Sequence, residues 1–400
     1  MNKAFTADYV FPVSAPPIRN GVLVTDEHGK IRKLLPAASG QEVLASFGID
    51  APEVFEGIIC PGFINAHCHL ELSHLKGKFS RGKGLPHFLN EVMTRRSEEE
   101  VDEIERKMVE ADREMFRNGI VAVGDICNTQ DSFPVKAQSW MLHHNFIELF
   151  GLQPDQADEI ISRGKNLMRE AEKFQLASTL VPHAPYSVSL QLMKRIFENQ
   201  SQQRPLVCMH NQETESENIF FRERSGELFT FINSIGKGLQ SFTASGMNST
   251  ASVLDALPSS LKMLLVHNTY STKEDVNSMQ AFHPLTWWCL CPNANEYIEN
   301  RLPDIPMLIG EKVSLVLGTD SYASNQSMSI LEEMKTIVKY FPQLTFSEML
   351  PWATINAAQF FGFDKLGTFE EGKIPGVNLV TGVGESAGGI SPNATVSRLI

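Results

Sequence analysis

The stretch Ile58-Ile-Cys-Pro61-Gly-Phe-Ile-Asn-Ala66 is almost wholly apolar, and it runs straight into His67-Cys68-His69. A run of this length, apolar on both faces and ending in two histidines, reads as a strand buried inside a parallel sheet. Its end then opens onto a polar cleft. Seven further runs share that form: Gly119–Asp125, Asn145–Gly151, Ala177–His183, Pro205–His210, Lys262–His267, Thr286–Pro292 and Val313–Asp320. The segments between them include Glu98–Arg117, Asp155–Lys173, Glu215–Asn233 and Met328–Tyr340, which have helical length and pattern. Eight strands alternating with helices predict a (β/α)8 TIM barrel of the α/β class.

Outside the alternation the chain is β-rich at both ends. Asp8–Phe11, Gly21–Thr25 and Lys30–Leu35 read as strands near the N-terminus, and Val377–Thr381 as one near the C-terminus. Short β segments at opposite ends of the chain could share one small sheet, which would frame whatever lies between. Length alone suggests two or three domains, but an α/β barrel holds well over 200 residues as one.

Composition narrows the function. Among 400 residues, 35 Lys+Arg stand against 47 Asp+Glu, a net charge of −12. The acidic balance argues against nucleic acid and anionic membranes, both of which attract basic surfaces. No apolar run approaches the roughly 18 residues of a membrane span, and the N-terminal stretch lacks the apolar core of a signal peptide. Six cysteines without paired spacing read as reduced thiols of a cytoplasmic protein. A small-molecule substrate is expected, with the chain acting as a homodimer.

A barrel enzyme keeps its chemistry at the C-terminal strand ends. Those ends carry His67, His69, Asp125, His183, His210, His267 and Asp320. His67 and His69, at i and i+2 of one strand, point to the same face, and two converging imidazoles suit a transition-metal ion. His210 can add a third nitrogen. Asp320, after a fully apolar run, is costly to bury without a partner, which a metal would supply; the alternative is a helix N-cap. Glu213 sits where a helix should begin. It is either a first-turn carboxylate complementing the helix dipole or a proton carrier beside an activated water. His267 could bond that water without being a ligand.

At these residues the chain resembles the amidohydrolase superfamily, in particular its mononuclear cytosine deaminase-like branch. The motifs are Pro61-Gly-Phe-Ile-Asn-Ala-His-Cys-His-Leu70, Pro182-His-Ala-Pro-Tyr-Ser187, His210-Asn-Gln-Glu-Thr-Glu215, Cys291-Pro-Asn-Ala-Asn295 and Leu317-Gly-Thr-Asp-Ser-Tyr-Ala-Ser-Asn325. They fall in the family's order and cover almost the whole chain, and the resemblance implies a discontinuous β-sandwich from residues 1–57 and 365–400 around a barrel at 58–364. Pro375-Gly-Val-Asn378 departs from the frequent Ala-Asp, and Ala294 from a frequent Ser. The resemblance implies that His67, His69, His210 and Asp320 hold one divalent ion, zinc or iron, and that Glu213, His267 and Asp320 carry protons. Strand four ends in His183 where dinuclear relatives have a bridging lysine, so one ion is implied. Glu148 is then a spare carboxylate, either structural or lining the mouth.

The resemblance further implies hydrolytic deamination of an aminated purine-type ring, with water attacking the C–NH2 carbon and ammonia leaving. No Pro-Cys-x-x-Cys motif of the other zinc deaminase fold occurs. The His183-Ala-Pro-Tyr segment resembles adenosine-type deaminases, where that histidine faces the nucleoside. The stretch from His69 through Phe88-Leu89 and Val92 to Arg96 is more similar to aminodeoxyfutalosine deaminases. Glu71 is the candidate for the sugar hydroxyls, or else it pairs with Lys76, Lys78 or Arg81 in a glycine-rich loop that is a lid or a solvated turn. Other rings (guanine, cytosine, an s-triazine or a cyclic amide) remain as the alternative, and a non-catalytic scaffold as the least favoured. Cys68, Cys289 and Cys291 are expected to pack, Asp125 is a candidate support for the ligands, and Glu215 and Glu217 are expected to face solvent.

Overall fold

The structure, a computed structural model, describes residues 1–37, 40–200, 205–236, 239, 242–384 and 388–400. All eight buried runs form parallel strands. They are β1 (Phe63–Cys68), β2 (Ile120–Cys127), β3 (Leu142–Leu149), β4 (Ala177–Pro182), β5 (Leu206–Asn211), β6 (Lys262–His267), β7 (Thr286–Leu290) and β8 (Ser314–Leu317). Strands β1 to β4 pair in order, as do β5 to β8. Two seams close the cylinder. His210 N–H donates to His183 C=O at 2.9 Å between β5 and β4. Thr319 and Asp320 N–H donate to His67 C=O at 3.0 and 3.1 Å between the end of β8 and β1. Both seams therefore run through the candidate site.

Gly318 lets the second seam close. A Cβ there would meet the Cβ and carbonyl oxygen of His67, each at 2.9 Å. The Asn65 side chain clamps the same junction, accepting from Thr319 N–H at 3.1 Å and donating to Thr319 Oγ1 at 2.8 Å.

Each outer helix turns an apolar stripe to the barrel. Val101–Arg117 buries Met108, Ala111 and Met115, at i, i+3 and i+7. The single helix expected over Glu215–Asn233 is two, Glu215–Glu223 and Gly226–Ser234. Arg224 between them adopts left-handed φ of 55°, which ends the first helix.

The chain ends build two packed sheets. One uses N-terminal strands alone: Ile31–Leu35, Val22–Thr25, Lys3–Thr6 and Glu53–Val54. The other mixes both ends: Ile390–Arg398, Val377–Val383, Ile58–Pro61, Tyr9–Val10 and Ile18–Arg19. Phe5, Leu23 and Ile31 of the first share a core with Val10, Ile59 and Val377 of the second. The expected barrel start at residue 58 is thus corrected, because Ile58–Pro61 pairs antiparallel with Val377–Val380 and the barrel begins at Phe63. Gly62 is the hinge between the two uses of one apolar run. A Cβ on it would lie 2.3 Å from Val121 Cγ1 and 2.7 Å from Pro375 O.

Candidate metal centre and active site

At the C-terminal mouth the side chains of β1, β5, β6 and β8 converge. His69 Nε2 lies 3.1 Å from His67 Nε2 and 3.2 Å from His210 Nε2. Asp320 Oδ1 lies 3.6 Å from His67 Nε2 and 3.4 Å from His69 Nε2. Three ring nitrogens this close share few protons, so their lone pairs repel unless a cation draws them together. Four tetrahedral bonds of about 2.0–2.1 Å would leave ligand atoms roughly 3.3 Å apart, so these residues fit one divalent ion.

Two of the three rings and the carboxylate are held from behind, as metal-binding groups commonly are. His210 Nδ1 donates to His183 C=O at 2.9 Å. His67 Nδ1 faces Cys208 Sγ at 3.6 Å. Asp320 Oδ2 accepts from the Ser324 hydroxyl. Burial, reinforced by the neighbouring imidazoles, holds His67, His69 and His210 below the usual histidine range, which is the neutral, ligating form.

Glu213 and His267 lie beside this cluster, with Glu213 Oε1 3.5 Å from His267 Nε2. Desolvation, followed by the charges of Asp320, Glu299 and Glu217, pushes the Glu213 carboxyl well above the ordinary carboxylate range. Its surroundings therefore favour the protonated acid over the carboxylate. Asn295 Nδ2 donates to His267 Nδ1 at 3.1 Å and to Thr269 Oγ1 at 2.9 Å. That bond leaves the His267 proton on Nε2, facing Glu213.

The backbone here is strained. Gln212, His267, Asn268 and Asp320 all take positive φ, between 45° and 75°. Each such non-glycine residue costs on the order of 1–3 kcal/mol and persists only where its surroundings over-determine it. They do so at Gln212. Its side chain donates to Asn218 Oδ1 at 3.1 Å and Asp275 Oδ2 at 2.9 Å, and accepts from Ser271 Oγ at 2.6 Å.

Glu217 completes that turn. Its carboxylate accepts from the N–H groups of Gln212 at 3.1 Å and Glu213 at 3.2 Å, and from the Ser249 hydroxyl. The expectation that Glu217 faces solvent is therefore corrected: it is fully buried, because the helix it opens folds back over the end of β5. Glu215 is only partly buried and pairs with Arg222. Asn295 and Glu217 are the residues sequence reasoning missed. Asn295 stood inside the Cys291-Pro-Asn-Ala-Asn295 motif without a role, and nothing local marked Glu217.

The remaining candidates divide. His183 lines the cleft with His69, His210, Glu213, His267 and Asp320, its Nδ1 2.6 Å from Ser187 Oγ, and burial lowers it to about 4. Glu71 turns elsewhere. Its two oxygens accept from Thr129 N–H at 3.0 Å and Asn128 N–H at 3.1 Å, and burial raises its carboxyl to about 7. The loop cations suggested as its partners are engaged otherwise: Lys76 sits 4.0 Å above the Tyr322 ring, Arg81 4.7 Å above Tyr297, and Lys78 pairs with Glu99. That loop is tied down, with Gly82 N–H donating to Tyr297 C=O at 2.7 Å. Asp125 forms a buried ion pair with Lys136 and accepts from Leu70 N–H at 2.8 Å, steadying the residue after His69. Cys68, Cys289 and Cys291 are buried and free.

A closed eight-stranded barrel with imidazoles, an aspartate and a buried glutamate at its C-terminal mouth defines a hydrolase of the metal-dependent barrel class. The profile of the Amidohydrolase family matches residues 58–397, and the chain belongs to that family. It is a hydrolytic enzyme of carbon–nitrogen bonds from a metal-dependent family. An aminodeoxyfutalosine deaminase of a Nitratiruptor species is 25% identical over 79% of this chain and 76% of its own length. A 5-methylthioadenosine/S-adenosylhomocysteine deaminase of Moorella thermoacetica is 23% identical over 93% of this chain and 83% of its own. Among solved structures, an aminofutalosine deaminase of Helicobacter pylori in complex with methylthio-coformycin superposes with a TM-score of 0.77. It is 20% identical and covers 94% of this chain and 92% of the other. Among the described residues no helix is long and apolar enough to cross a membrane.

Proposed function

We propose that this protein is a metal-dependent deaminase that releases ammonia from the adenine-type ring of a nucleoside, of the aminodeoxyfutalosine or S-adenosylhomocysteine kind. The observation that carries the reading is Glu213, a buried carboxyl raised well above its ordinary range, facing His267 beside the converging side chains of His67, His69, His210 and Asp320. A binding protein has no use for an acid held ready beside a metal cluster. The relatives' deaminase names support the choice of ring.

His67, His69, His210 and Asp320 would hold the ion, with zinc favoured by the nitrogen-rich, compact donor set. When bound, such an ion lowers the pKa of water so that it is nucleophilic at neutral pH. Glu213 gives its proton to the ring nitrogen beside the amino-bearing carbon as water adds to that carbon. That transfer leaves a carboxylate, which takes one proton of the water and is thereby restored to its acid form. His267, its Nε2–H fixed by Asn295, donates to the adding oxygen, while Asp320 receives the water's other proton and returns it to the departing amine, which leaves as ammonia. Each such transfer contributes typically about 10²–10⁴-fold. His183 forms part of the wall against which the ring lies. Six buried thiols without a disulfide are consistent with the reducing cytoplasm, and a homodimer belongs to the same proposal.

The test is bound metal measured by elemental analysis, then ammonia release from adenosine, S-adenosylhomocysteine, aminodeoxyfutalosine, guanine and cytosine. Turnover of at least one adenine nucleoside is expected. A protein that binds no divalent ion, or that releases no ammonia once loaded, would refute it.

A further inference from the structure

Two buried oxygens in the cleft have no protein partner: Glu148 Oε1 and the Tyr186 hydroxyl. Both residues line the cleft that contains Glu213 and His267, and they are 7% and 2% exposed. A buried polar atom left unpaired is destabilising, and these two differ from the other unpartnered buried atoms among the described residues in lining the cleft, where a bound molecule can make the bond. Glu148 Oε1 is 3.4 Å from His210 Nδ1, but the proton on that nitrogen already goes to His183 C=O. Glu148 Oε2 accepts from Asn128 Nδ2 at 2.9 Å. One oxygen therefore anchors the carboxylate and the other is presented to the cleft.

The anchoring runs back to Glu71. Glu71 holds the N–H groups of Asn128 and Thr129, and Asn128 in turn holds Glu148. The carboxylate just past the metal histidines shapes the turn, while the carboxylate at the end of β3 is the one left open. Around it stand Leu85, Phe88, Leu89 and Val92, one face of the helix Leu85–Arg95, with Arg96 at its end.

We infer that Glu148, with Tyr186 beside it, forms a hydroxyl-recognising subsite that binds the sugar of a nucleoside substrate. This rests on the deaminase reading above and deepens it. The chemistry selects the ligand group: an acceptor oxygen needs a donor, and Arg96 on the same wall disfavours a cationic donor. A neutral hydroxyl satisfies both. An apolar wall with one open carboxylate then suits a ring joined to a sugar better than a free base, which would leave Glu148 Oε1 unpaired. Glu148 is accordingly a specificity-determining residue.

The experiment is steady-state kinetics on the metal-loaded enzyme and its Glu148→Gln and Tyr186→Phe variants, with metal content measured in each. The substrates are adenosine and S-adenosylhomocysteine, their 2′-deoxy and 3′-deoxy analogues, and adenine. In the wild type, loss of one of the two hydroxyls should lower kcat/KM about 10- to 100-fold, the scale of a hydrogen bond to a charged group, mainly through KM. In Glu148→Gln the same deletion should cost less than about threefold, with metal content unchanged, and Tyr186→Phe should narrow the difference in part. Equal rates for hydroxylated and deoxygenated substrates in the wild type overturn the subsite, and that result needs no variant to fold. So does a uniform loss of kcat or metal in Glu148→Gln, which would make Glu148 a support for His210. Turnover of free bases alone overturns the subsite and leaves deamination standing, whereas no ammonia from any amino ring removes both.

Discussion

Two buried polar clusters sit in this barrel, and they are finished to different degrees. Behind β2 and β3, Lys136 pairs with Asp125, donates to Asn145 Oδ1 at 2.8 Å and lies 3.0 Å from Cys127 Sγ. Asn145 Nδ2 donates to Ala177 C=O at 2.9 Å, and the charged atoms of Lys136 and Asp125 are satisfied within the protein. At the mouth, three Nε2 atoms and a carboxylate oxygen face one another, the Glu213 carboxyl is held well above its ordinary range by burial, and Glu148 Oε1 and the Tyr186 hydroxyl lack partners. Both clusters are buried, and both contain strongly displaced pKa values. What separates them is unfilled bonding capacity together with left-handed backbone at Gln212, His267, Asn268 and Asp320. Burial and displaced titration are common to both clusters; unfilled bonding capacity gathered around one cleft is particular to the mouth.

The contrast is most exposed to challenge at the mouth. His67→Ala or Asp320→Asn should remove the bound metal and lower ammonia release by at least roughly 10³-fold, read by elemental analysis beside a rate assay. Glu213→Gln should lower kcat by about 10²–10⁴-fold while the metal stays; loss of metal would place Glu213 among the ligands. The closed cluster should behave in the opposite way. Lys136→Met leaves Asp125 buried without its partner, so urea unfolding should show a loss of about 3–5 kcal/mol, while the kcat of the folded fraction stays near wild type. A large fall in kcat with stability intact would erase the distinction between the clusters.

Smaller effects refine the same contrast. Asn295→Ala frees the His267 tautomer and should cost about 10-fold in kcat, with a shifted pH–rate profile and little change in KM. The mildest test concerns Glu217, whose carboxyl burial raises to about 7 from an unfolded value of 4.5. Between those values the folded chain keeps a proton that the unfolded chain has released. Stability from this group is therefore full below pH 4.5 and is lost as pH rises towards 7, at up to about 1.4 kcal/mol per unit. Urea midpoints for wild type and Glu217→Gln should differ in slope across this window. A slope unchanged by the substitution would mean Glu217 titrates normally.

The barrel was legible because a strand buried on both faces reads as an unbroken apolar run, and eight such runs alternate with helices. The candidate metal residues were legible for the complementary reason: each is a polar residue placed where such a run stops. Two kinds of feature were not. The run at Ile58–Ala66 gives no sign that Gly62 divides it between two sheets, since both halves are equally apolar. Glu217 reads as an ordinary helical glutamate, because the fold that buries it comes from Ser249 and the turn at Gln212. The broken helix at Arg224 belongs with these, as a left-handed residue inside an amphipathic pattern leaves the pattern intact.

Local pattern was enough to establish the alternation of strands and helices and the identity of the residues at the strand ends. Those properties follow from periodicity and from the free energy of burying apolar surface, which act on neighbouring residues. Which of two nearby carboxylates is spent and which is open was settled only in three dimensions. Glu71 and Glu148 are indistinguishable as letters; one is filled by backbone N–H groups of Asn128 and Thr129, the other keeps an oxygen free. Hydrogen-bond satisfaction is fixed between residues far apart in the chain, by small differences in distance, and no local pattern carries that information.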